Sequence, residues 1–252
     1  MPEQPGLRLA LALVVLLGIA ITASATGRLG LRRAIALAAG RALLQLAAVA
    51  LVIAAVLNDT TWSLLFAGLM FGVAVATTSR RVDAPRAWPW AAVAMAGGVV
   101  PVLTVIFATG AVPWNGASLV PFAGIIIGGA MNAHSLAGRR AFAALRDQHA
   151  SYEAALSLGL PRSDAIAEVI HRLVPEALVP GLDQTRTVGL VTLPGAFVGV
   201  MLGGGTPVQA GAAQVLVLIG LLAAQTITVT VAERLIRSAR LLPQDLSLSL
   251  QP

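Results

Sequence analysis

The chain reads as an all-α integral membrane protein of about seven transmembrane helices, and three observations predict this class. Hydrophobic residues make up 57% of the 252 and charged residues only 11%, with a mean hydropathy of +0.85. A soluble domain carries roughly 25% charged residues, so this composition cannot clothe a globular surface. Apolar runs long enough to cross a bilayer, which takes about 20 residues, fall at roughly 7–26, 34–57, 62–79, 88–111, 118–138, 187–203 and 210–232. The cations, every one an arginine, gather in alternate loops between those runs. On this reading residues 1–252 form a single transmembrane domain.

The first run ends in Ala23-Ser24-Ala25, a small-residue pattern that also suits a cleavage site. A signal peptide is more positive before its apolar core than after it. Here Glu3 and Arg8 precede the core while Arg28, Arg32 and Arg33 follow, so the run is read as a retained span. Further arginines follow the third span (Arg80, Arg81, Arg86), the fifth (Arg139 to Arg186) and the seventh (Arg234, Arg237, Arg240). Positive loops stay cytoplasmic, which predicts an outside N-terminus, an inside C-terminus and, in a bacterium, the inner membrane. The intervening loops, including Pro113-Trp114-Asn115-Gly116, are short and carry few charges. Trp62, Trp88, Trp90 and Trp114 sit at span ends, where indole rings anchor.

Polar residues within spans mark a candidate pathway. In the second span Arg41 either snorkels or joins a polar network, and Gln45 shares its helical face at i,i+4. Met131, Asn132 and His134 lie in the fifth span. Thioether and imidazole suit transition metals, so Met131 and His134, at i,i+3, are the candidate ligands, although no full set gathers in the sequence. Pro194, with Gly189, Gly195 and Gly199, weakens the sixth span. Gly195 and Gly199 have the spacing of close helix contact, and flexing during transport is the alternative. Gln214, Gln225, Thr226, Thr228 and Thr230 read as interhelical glue. No acid falls inside a predicted span, which argues against proton-coupled secondary transport.

The segment of about 139–186 is long and patterned where connections are ordinarily short. Helix formers run from Arg139 to Leu158 without proline. The fifth span is therefore expected to continue as one helix to Gly159, a residue suited to a helix stop. Pro161 starts a new element with Ser163 or Asp164 as cap. Ile166, Val169, Ile170, Leu173, Val174 and Ala177 then form an apolar stripe, predicting an amphipathic helix for a membrane surface or a partner's groove.

Glu153-Ala154-Ala155, followed by Leu156-Ser157-Leu158-Gly159, resembles the EAA-x3-G loop by which ABC-transporter permeases dock onto their ATPase. His171-Arg172 stand where the importer version of that loop has Leu-Pro. Together with Gly40-Arg41-Ala42-Leu43-Leu44-Gln45-Leu46, Pro121-Phe122-Ala123-Gly124 and Thr187-Val188-Gly189-Leu190-Val191-Thr192-Leu193-Pro194-Gly195, the chain resembles permeases of the FetB (YbbM) family. These are bacterial ABC membrane subunits linked to iron export, with plant relatives associated with aluminium tolerance. The resemblance implies a permease moving a metal cation, probable iron export, with no cofactor of its own. It implies ATP and Mg on a separate ATPase subunit, a pair of permease copies, and coupling through Glu153, Ala154, Ala155, Gly159, Pro161, Arg162 and Asp164.

Enzyme signatures are missing. With no lysine the chain has no G-x-x-x-x-G-K-[ST] phosphate loop, and it has no H-E-x-x-H and no G-x-S-x-G. With no cysteine it has no thiolate metal or redox site. The net charge of +6 reads as orientation and anionic lipid, not nucleic acid. A permease for another solute, a secondary transporter and a membrane scaffold are the alternatives.

Overall fold

The structure is a computed structural model and describes residues 6–250. It divides into two units, one running to Val56 and the other beginning at Leu57. The first unit contains α1 (Leu7–Thr26) and most of α2 (Arg32–Asn58), two apolar helices whose side chains are largely exposed. Helices with a predominantly apolar surface find their solvent in a bilayer.

The second unit is a helical bundle. It comprises α3 (Thr60–Arg81), α4 (Trp88–Ala108), α5 (Gly116–Asp147), α6 (His149–Ser157), α7 (Arg162–Ile170), α8 (Val179–Thr187), α9 (Gly195–Leu202), α10 (Pro207–Arg237) and α11 (Gln244–Ser249). Short 3-10 turns at Pro85–Ala87 and Val174–Leu178 link α3 to α4 and α7 to α8. No strand occurs among the described residues. Polar side chains close the helix starts: Asp59 accepts from the backbone N–H of Thr61 and Trp62, and Asn115 from Ser118. Thr206 and Gln209 form a reciprocal capping box on α10.

The core lies where α4, α5 and α10 meet, with α3 packed along α5. Small residues (Ala91, Ala94, Ala123, Ala130, Ala137, Ala224) are buried there, and they let backbones approach closely when no water drives burial. A methyl group added at Gly98 of α4 would lie 2.3 Å from the carbonyl oxygen of Ala224 on α10.

Among the described residues, six helices are long and apolar enough to cross a membrane: α1, α2, α3, α4 with its preceding turn, α5 and α10. The sixth apolar run, 187–203, is not one helix. It holds the end of α8, a non-helical stretch and the eight-residue α9. At about 1.5 Å per residue α9 reaches roughly 12 Å, less than half of a ~30 Å hydrocarbon core.

Several local expectations are corrected. The expected continuous helix to Gly159 breaks at Gln148, whose φ of −111° and ψ of 34° end α5. Gly116, expected in a loop, is buried as the first residue of α5. Pro161, not Ser163 or Asp164, occupies the cap position of α7, with no side-chain cap bond. The apolar stripe is buried except at half-buried Leu173, but α7 stops at Ile170, and Val174 and Ala177 lie in the 3-10 turn. Both pack against α5 and α10 of the same chain, not against a membrane surface or a partner.

Candidate functional site

Two features stand out, and the first is an interrupted crossing. Glu176 pairs with Arg140 at the arginine-rich end of α5. Five residues later Gly181 packs against the Gln225 side chain of α10, so closely that a Cβ there would lie 2.2 Å from Oε1. Further on, the Phe197 N–H donates to Gln214 Oε1 at 3.3 Å. The stretch from Glu176 to α9 thus climbs along α10 in the opposite direction.

Its depth follows from the neighbouring helices. Ala224 and Thr228 abut Gly98, midway along α4, and Gln225 abuts Gly129, near the middle of the apolar part of α5. Gln225 therefore lies level with the middles of α4 and α5. Residues 182–196 pass between its level and that of Gln214, about 16 Å further along α10 at 1.5 Å per residue.

Non-helical backbone at this depth is tolerated only against protein or a water-filled cavity. Between α8 and α9, Thr187 O accepts from Leu190 and Val191, and Thr192 O accepts from Gly189. No partner is formed among the described residues by the carbonyls of Val188, Gly189, Leu190, Val191 and Leu193. Leu190, Val191 and Leu193 are exposed. Pro194 caps α9 in extended conformation instead of kinking a continuous helix. Beside it Gly195 and Gly199 face open space within this chain.

Sequence reasoning missed Asp183 and Arg186, assigning both to a loop. They form a 3.5 Å pair on α8, exposed by 60% and 72%. Both lie on α8, a nine-residue helix that packs beside the middle of α10. A legible signal existed: a span interrupted by glycine and proline is the sequence pointer to a broken transmembrane helix.

The second feature is the α6–α7 hairpin. Its turn is a Schellman motif in which the Leu160 N–H donates to Ala155 O and the Gly159 N–H to Leu156 O. Gly159 takes φ +87°, the left-handed region where a Cβ is disfavoured. Leu158 stands 82% exposed at the tip. Glu153, Ala154, Gly159 and Pro161 are also exposed, whereas Ala155 is buried and Arg162 half-buried. Asp164 is held by Arg237 at 3.1 Å, and Glu153 lies 3.4 Å from His149 on the same helix.

The base of this hairpin is braced from the C-terminal side. Arg146 of α5 forms two hydrogen bonds to Asp245, and the Tyr152 hydroxyl donates to Leu250 O. The Arg146 side-chain hydrogen bond holds the Asp245 carboxyl below its ordinary pKa.

The remaining candidates fall in both units. Arg41 and Gln45 are exposed on α2 in the first unit. On α5, Asn132 accepts a 3.3 Å hydrogen bond from Arg81 and Met131 is half-buried. His134 is buried, its Nδ1 2.8 Å from Thr78 Oγ1, which lies 2.8 Å from Ser135 Oγ. His134 Nε2 has no partner among the described residues. No group of three or more His, Cys, Asp or Glu side chains gathers among the described residues. Gln214 does act between helices, as expected.

These features define a multi-pass, all-helical membrane protein with a broken crossing and a protruding helical hairpin. The chain belongs to the uncharacterised protein family UPF0014, which it matches over residues 7–240. It is 31% identical over 229 residues to the probable iron export permease protein FetB of Escherichia coli, covering 90% of this chain and 87% of that one. It is also 31% identical to the membrane protein STAR2 of rice, over 86% of this chain and 77% of the relative. A third relative, Protein ALUMINUM SENSITIVE 3 of Arabidopsis thaliana, is 28% identical over 87% of this chain and 81% of its own length. No solved structure matches the chain.

Proposed function

We propose that this chain is the membrane subunit of an ABC transporter, exporting a metal cation with energy from an ATPase on a separate chain. The observation that carries the reading is the α6–α7 hairpin, a rigid turn with an exposed apolar tip on the arginine-rich side of the bundle. A membrane protein that only spans has no use for such a projection. Leu158 and Gly159 would enter a cleft of the ATPase, with Glu153, Ala154 and Pro161 on the rim. Ala155 and Asp164 support the hairpin from within.

In this reading the arginine-rich side is cytoplasmic, the N-terminus lies outside, and the protein sits in a bacterial inner membrane as a pair of copies. ATP and Mg bind the ATPase, and this chain supplies no catalytic group. Support for a metal cation, with iron first, comes from the relative named as an iron export permease. The translocation route is proposed to involve the broken crossing at Pro194, with Arg41, Gln45, Met131, Asn132 and His134 as further polar contributors.

The test is transport in vesicles. Purified permease, reconstituted with its ATPase and loaded with Fe²⁺, should move the ion only when ATP is hydrolysed. Movement driven by a proton gradient without ATPase would favour a secondary transporter and reject the reading.

A further inference from the structure

We propose that Asp183 is the cation-binding carboxylate of the translocation route, with the open carbonyls of the 188–191 turn as the next oxygen ligands. The proposal rests on the cation-transport reading and names the site within it.

Three observations converge. The stretch containing Asp183 is bracketed by Gly181 against Gln225, level with the middles of α4 and α5, and Phe197 on Gln214 beyond it. The carboxylate is nevertheless exposed, and Arg186, 3.5 Å away, is itself exposed. An ionised side chain at membrane depth faces a bundle interior or a water-filled cavity, because hydrocarbon cannot solvate it. The turn that follows adds unpaired backbone carbonyls at 188–191, which lipid cannot satisfy either.

Asp183 lies on the stretch that runs beside the middle of α10, between the levels of Gln225 and Gln214. Asp59 and Asp83 occupy loops at opposite ends of α3, and Glu233 lies at the arginine-rich end of α10, 3.3 Å from His171. A cation crossing here must exchange its water for fixed oxygens, and broken transmembrane helices supply carbonyls for that purpose. A carboxylate and carbonyl oxygens suit a hard or borderline divalent ion. Arg186 holds the empty carboxylate and releases it when the cation arrives.

The experiment uses the purified full-length chain in nanodiscs and Mn²⁺, whose spin resonance reports binding directly. The wild type should bind Mn²⁺, and Asp183→Glu should keep binding. Asp183→Asn should weaken it by at least about tenfold, since affinity follows ligand charge. Arg186→Gln should strengthen binding by removing the competing cation. Because the chain has no native cysteine, water access can be read separately. Thr192→Cys should react with a hydrophilic thiol reagent, while Val105→Cys, exposed on the unbroken α4, should not. Unchanged Mn²⁺ binding in Asp183→Asn, or an unreactive Thr192→Cys, overturns the proposal. A chain that binds Mn²⁺ through Asp183 yet captures no ATPase keeps this site and refutes the docking reading instead.

Discussion

Replacing Gly159 isolates the hairpin turn from everything around it. Its φ of +87° is left-handed, and an added Cβ would meet no atom within 4 Å. The cost of a side chain there is therefore backbone strain alone, about 1–2 kcal/mol for an ordinary L-residue. Asparagine tolerates this region better. A penalty of that size shifts an equilibrium by roughly 5- to 30-fold, and it falls on the two turn hydrogen bonds that position Leu158. Gly159→Val should weaken capture of the ATPase by nanodisc-embedded permease by about tenfold, the step that corresponds to about 1.4 kcal/mol. Gly159→Asn should weaken it less. Both variants should insert normally, because the site lies outside every span. The assay titrates ATPase against immobilised permease and measures ATP hydrolysed per ion moved. If valine and asparagine both behaved as glycine, the turn would not be the docking element.

Further outcomes follow from packing, charge and topology. Gly98→Ala should destabilise the purified protein by about 1–3 kcal/mol, the usual cost of overpacking, because its methyl group would strike the Ala224 carbonyl. Gly128→Ala, with nothing within 4 Å, should be neutral or slightly stabilising, and thermal unfolding compares the two. Asp245 is held below its ordinary pKa of 3.8, chiefly by the Arg146 hydrogen bond. Its contribution is full above that value and is lost as pH falls through the depressed one. A fluorophore on Ser249→Cys should report a seated α11 from pH 8 to 5 and its release in stronger acid, with Asp245→Asn abolishing the dependence. If arginine bias sets orientation, Ala111→Cys should label from outside and Ser151→Cys only after permeabilisation; the reverse pattern overturns the topology.

The spans were legible because the bilayer imposes them. A run such as 210–232 has no other stable solvent, and α10 includes all of it. The hairpin tip was legible through Gly159 and Pro161, which punctuate any helix whatever its surroundings. The apolar stripe from Ile166 to Ala177 announced burial but not its partner, since periodicity gives a face and no address. His134 read as a candidate ligand beside Met131, and only the register of α3 against α5 sets it beside Thr78.

What the amino-acid sequence determined by itself is the class: apolar run length, arginine placement and turn residues are local quantities, and each acts within one element. The tertiary structure alone decided depth. Asp183 and Arg186 are polar neighbours of a loop in any hydropathy window. They sit level with the middle of α10 because α8 follows a turn anchored by Arg140 and Glu176 and packs on Gln225. Packing against α5 and α10 sets where a short helix sits along the membrane normal, and no local average of hydrophobicity carries that information.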